Sequence, residues 1–106
     1  MLSCKLSEDL HKYISIIDPP IVEGMSGIKH KFYFVGKDKD DLIVMDYCKD
    51  DISLLQFFIK SFDVKSKLKI VICENITEEI RKLASFCNVF LVKDTEDIIK
   101  IIKENL

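Results

Sequence analysis

"LIVMDYC", residues Leu42–Cys48, is an apolar run that carries one carboxylate, Asp46, near its end. An apolar run of this length reads as a strand with little solvent on either face. An aspartate in such a strand needs a reason, because a buried carboxylate must be paired or have its pKa raised. The other reading places Asp46 at an exposed strand end, capping or solvated.

Working upstream, "KDKDD" (37–41) is a polar turn, and "IKHKFYFVG" (28–36) alternates between two faces. His30, Phe32 and Phe34 point one way, and Lys31, Tyr33 and Val35 the other. The two runs on either side of the turn are expected to form a hairpin. Before them, Ser7 caps a helix with Glu8 and Asp9 in its first turn and Leu10, Tyr13, Ile14 and Ile17 at helical spacing. "DPP" (18–20) stops it, and "IVEG" (21–24) is a short extended piece ending in the flexible "GMSG" (24–27).

Downstream, Asp51 caps the apolar helix "ISLLQFFIKSF" (52–62), whose apolar positions spread over more than one stripe. Either that helix is sandwiched inside the domain or one face meets a partner chain, and a homodimer through the Ile52–Phe62 helix is the partner expected. "LKIVIC" (68–73) is a continuous apolar run, expected to be a strand buried on both faces. Thr77 opens a helix with Ile80, Leu83 and Ala84 on one side, "NVFLV" (88–92) is another strand, and Thr95 begins a last helix with Ile98, Ile99, Ile102 and Leu106 inward. Alternating strands and helices predict a parallel second half. The whole predicts a single α/β domain over residues 1–106, a three-layer α/β/α sandwich around a mixed central sheet.

The chain is 48% hydrophobic and 32% charged, with a net charge of −2. That balance belongs to an ordered globule and excludes a strongly basic nucleic-acid binder, though not a local basic patch. Lys29, Lys31, Lys37 and Lys39 form one such group, and Lys60, Lys65, Lys67 and Lys69 a second. Arg81 is the lone arginine and lies in neither, which weakens any specific base or bidentate phosphate readout by either group. No run reaches the roughly 20 apolar residues of a membrane span. Acidic residues stand where a signal peptide has its apolar core, so a cytoplasmic protein away from membranes is expected. The four cysteines, Cys4, Cys48, Cys73 and Cys87, form no C-x-x-C pair and are expected to be reduced and mostly buried.

"VEGMSGIKHKFYFV" (22–35), the polar turn and "LIVMDYC" together resemble the restriction-endonuclease-like, or PD-(D/E)XK, nuclease superfamily. Some archaeal members have a similar glycine-bearing G-x-S-G-x-x-H-x-F-D stretch before a D/E-x-K strand. The resemblance runs from about Leu6 to the end of the chain. It implies a restriction-endonuclease-like fold and an archaeal-type source, to which the Ile/Lys bias also points. It further implies a site at which carboxylates hold Mg²⁺ for phosphodiester hydrolysis. Asp46 matches the second acid, Glu23 an auxiliary acid and His30 the histidine, which makes Asp46 and Glu23 the metal-ligand candidates. Tyr33 stands where the first aspartate belongs, and Cys48 where the lysine belongs. A cysteine cannot replace an ammonium, so Asp46, Glu23 and His30 read as vestiges of a catalytic set. Lys29, Lys31 and Gly27 are the nucleic-acid-binding candidates, the glycine because it lets a backbone approach a phosphate.

A rival resemblance is to a flavodoxin-like receiver domain with a parallel sheet, in which Asp46 would be the phosphoacceptor and Lys93 its partner. That family needs an acidic pair ending its first strand, and here the chain opens with a helix. The function expected is therefore a non-catalytic restriction-endonuclease-like domain that acts as a nucleic-acid-associated or protein-interaction module and needs no cofactor. Two alternatives stay open: a Mg²⁺-dependent nuclease using Asp46, and a degenerate receiver-like signalling domain.

Overall fold

The computed structural model describes residues 4–106, with side chains from Leu6 onward. The first half runs α1 (Cys4–His11), β1 (Ser15–Ile16), β2 (Ile21–Glu23), β3 (Lys29–Lys31), β4 (Phe34–Asp38) and β5 (Asp41–Cys48). The second runs α2 (Asp51–Asp63), β6 (Leu68–Cys73), α3 (Glu78–Phe86), β7 (Phe90–Val92) and α4 (Thr95–Asn105). Five strands form one sheet in the order β1-β4-β5-β6-β7, and β2 and β3 pair separately. β1 and β5 each run antiparallel to β4, whereas β6 runs parallel to both β5 and β7. The sheet is thus mixed, as expected, and the fully parallel receiver-like sheet does not form.

β5 sits in the middle because both its faces are apolar. Val44 and Cys48 pack on one side with Val71 and Cys73 of β6, beneath Leu54, Phe57 and Phe58 of α2 and Ala84 of α3. Ile43 and Met45 pack on the other with Ile70 and Ile72, against Leu6 and Leu10 of α1 and Ile98 and Ile102 of α4. Two cores thus lie on the two faces of one sheet, giving three layers, and each fully buried large side chain contributes about 2 kcal/mol. Cys48, Cys73 and Cys87 are buried and free; the Cys4 thiol lies outside the described side chains. Among the described residues no helix is long and apolar enough to cross a membrane.

Three local expectations change. "IKHKFYFVG" is not one strand: β3 pairs with β2, the chain bends at Tyr33, and β4 joins the main sheet. Phe32 and Phe34 accordingly enter opposite cores. α1 starts at Cys4, so Ser7 lies inside it and is not its cap, and Glu8 and Asp9 fall after its first turn; it ends at His11, well before "DPP", because Ile14 turns into the core beside β1. The α2 N-cap is Asp50, one residue earlier than expected: its side chain accepts the Ser53 N–H, and the Ser53 hydroxyl lies 3.3 Å from the Asp50 amide in a reciprocal box.

α2 is not sandwiched. Leu54, Phe57, Phe58 and Ser61 face the sheet. Ile52, Leu55, Ile59 and Phe62 face outward, 69%, 52%, 70% and 60% exposed.

Candidate functional site

The strand period puts Asp46 on the α2 side of β5, with Val44 and Cys48. Its Oδ1 accepts the backbone N–H of Tyr33 at 2.7 Å. Tyr33 lies where the chain leaves the β2–β3 pair to enter β4, so the carboxylate satisfies an amide outside both ladders. Oδ2 accepts from Lys60 Nζ at 2.6 Å. The same ammonium donates to the Lys31 carbonyl at 2.7 Å and lies 4.6 Å from the centre of the Phe32 ring. Asp46 and Lys60 are largely buried, their side chains 14% and 23% exposed. The cation beside Asp46 is thus supplied by α2 and not by β5. Lys60 is the member of the second lysine group that turns inward.

Cys48 itself stays neutral. Burial, then the neighbouring Asp46 charge, push its thiol up to about 11. Asp46, Cys48, Ser53, Gln56, Ile59 and Lys60 line most of a cleft of about 340 Å³ between β5 and α2.

His30 is held one helical turn further along. Its Nε2 lies 2.7 Å from Asp63 Oδ2. Ser26 donates to the same carboxylate twice, from its N–H at 2.9 Å to Oδ1 and from its hydroxyl at 2.5 Å to Oδ2. The Met25 N–H donates to the Asp63 carbonyl at 2.7 Å. The Ser26 hydroxyl first, then His30 and the Ser26 amide, hold the Asp63 carboxyl below its usual range. Gly24 is needed here, because a Cβ at that position would strike the Asp63 carboxylate. Asp63 is therefore a clasp that fixes the β2–β3 hairpin to the end of α2. Lys60 and Asp63, three residues apart, both turn toward the hairpin.

Glu23 does not join them. Val22 and His30 are paired across the hairpin and share one face; Glu23 and Lys29 are the next pair and share the other. Glu23, Lys29 and Lys31 are exposed. Gly27 is at the hairpin tip with φ +89° and open space around it. Among the described residues no three His, Cys, Asp or Glu side chains converge as a metal-binding group. Mg²⁺ takes near-octahedral oxygen ligands, and Asp46 has both oxygens committed to donors of its own chain. The residues present do not fit that ion.

Asp46 and His30 are thus each organised by a partner that strand-by-strand reading missed, Lys60 and Asp63. The available signal was a pair of charged residues at helical i, i+3 spacing in an otherwise apolar helix. A separate cleft of about 530 Å³ lies where Lys67, Arg81, Asn88 and Asn105 approach one another, and none of the predicted site residues lines it.

No protein-family model matches the chain, and no curated protein matches it. Among solved structures it is similar to the crystal structure of AF1548, a protein of unknown function, with a TM-score of 0.62 and 12% identity. The likeness covers 82% of this chain and 53% of that one, so this chain spans about half that protein's length. At that identity the two share a fold.

Proposed function

We propose that this chain is a non-catalytic protein-interaction module of restriction-endonuclease-like ancestry. The observation that supports it most is the closed state of Asp46. A catalytic carboxylate must present a free oxygen to a metal or to water. Asp46 gives one oxygen to a backbone amide and the other to a lysine that is itself held by a carbonyl and a ring. In this reading the residues that resemble a nuclease site tie the hairpin and α2 to the sheet. Nucleic-acid binding is the weaker form of the module reading. Lys29 and Lys31 are exposed, but Glu23 sits opposite Lys29, and the chain is net acidic.

The test pairs chemistry with stability. Labelled DNA and RNA are incubated with the protein in Mg²⁺ or Mn²⁺, and Asp46→Asn is compared with wild type in the same assay and by thermal unfolding. The expected result is no cleavage by either protein and a lower Tm for the variant. Metal-dependent cleavage that Asp46→Asn abolishes at unchanged Tm overturns the reading.

One observation favours the hydrolase alternative. Lys60 brings an ammonium to Asp46 at the wall of the 340 Å³ cleft, so an acid and a cation do meet there. The same cleavage assay decides between the two.

A further inference from the structure

We infer that two copies of this chain associate through the outer face of α2, with the two helices antiparallel about a two-fold axis. The inference deepens the interaction-module reading and rests on it by naming the partner.

Ile52, Leu55, Ile59 and Phe62 recur at spacings of three and four residues and lie on one helix face. They extend over roughly 15 Å at 1.5 Å per residue. Met25, 74% exposed, is tied by its amide to Asp63 and so is anchored at the Phe62 end of the stripe. Five mostly exposed apolar side chains of roughly 100 Å² apiece give about 500 Å² per copy, at the upper end of what a monomer leaves bare. With a polar rim this approaches the ~800 Å² per partner of a standard interface. A self-complementary stripe fits the commonest oligomer, a two-fold dimer with the same patch on both subunits.

Charge sets the direction. Asp50 and Asp51 lie at the start of the stripe, and Asp51 precedes Leu55 by one helical turn. At the other end the Lys69 ammonium sits 5.3 Å from the centre of the Phe62 ring, with Lys65 exposed nearby in sequence. Parallel helices would set acid against acid and lysine against lysine. Antiparallel helices set the Asp51 end of each copy against the Lys69 end of the other, and they also oppose the helix dipoles. Leu55 and Ile59 then flank the axis, and Ile52 meets the partner's Phe62.

Sedimentation equilibrium from 1 to 100 µM tests this. The expected mass for wild type is twice the 12.3 kDa of the chain. Ile59→Asp is expected to weaken association by at least about thirtyfold while the far-UV circular dichroism of the folded chain stays unchanged, because the residue is exposed in the monomer. Asp51→Lys is expected to weaken the dimer, and adding Lys69→Glu to restore it. Wild type that stays monomeric at 100 µM, or a dimer indifferent to Ile59→Asp, overturns the inference. A dimer that Asp51→Lys leaves unchanged overturns its antiparallel direction. A monomer that cleaves no nucleic acid leaves the non-catalytic reading standing; a dimer that cleaves it removes that reading and not this one.

Discussion

Lys60→Met separates a structural ion pair from an ornamental one. The substitution keeps most of the side-chain volume and removes the ammonium. Asp46 then keeps one donor, the Tyr33 amide, and its second oxygen loses its partner in a site only 14% exposed. Removing one member of a fully buried pair costs about 3–5 kcal/mol, whereas exposed pairs are worth about 0–1. The cleft beside Lys60 lets water reach part of the site, which places the cost at about 2–3 kcal/mol. The Lys31 carbonyl also loses its donor. For a domain of this size that cost lowers Tm by about 10–15 °C. Asp46→Asn should cost less, about 1–2 kcal/mol, because the amide oxygen still accepts from Tyr33. In the double variant the two losses should overlap by about 1–2 kcal/mol. The chain has no tryptophan, so urea unfolding is best followed by far-UV circular dichroism. A Lys60→Met cost below about 0.5 kcal/mol, or strictly additive losses, would refute the argument that the pair is structural.

Two further outcomes are expected. Asp63 has a depressed folded pKa, so its contribution is complete above the unfolded value of about 3.9 and is lost as pH falls through the folded value. Stability from pH 5 to 2 should therefore fall less steeply in Asp63→Asn than in wild type, read as urea midpoints. With its thiol pushed up to about 11 and buried, Cys48 should resist iodoacetamide at pH 8 in the folded protein and react once the chain is unfolded, which intact and peptide mass spectrometry reads directly.

The parts of the fold that could be read in advance are those where neighbours in sequence settle the matter. "LKIVIC" has apolar side chains for both faces, and it became β6, paired on both sides. Thr77 offers its hydroxyl to the Ile80 amide, and the helix starts there. What escaped depended on partners distant in the chain. Nothing local in "IKHKFYFVG" announces that Lys31 will pair with Ile21 while Phe34 pairs with Met45. Tyr13 and Ile17 continue the helical spacing of Leu10 and Ile14, yet Ile17 packs into the opposite core. Asp46, a carboxylate in an apolar strand, demands an explanation from the sequence alone. Its explanation sits fourteen residues later on another element, in a helix whose apolar content hid the one lysine that turns inward. The acid was legible; the cation was not, since a lysine's reach across a helix–strand gap leaves no pattern in the strand it serves.

The five-stranded sheet also tapers. β5 has eight residues, but the flanks end in β1 with two and β7 with three. So short a border exposes only a few unpaired amides and carbonyls, too little to template an added strand from another molecule. Encounters between copies in a crowded solution are thereby steered away from open-ended fibre growth. They are left to surfaces made of side chains, which can be tuned one residue at a time.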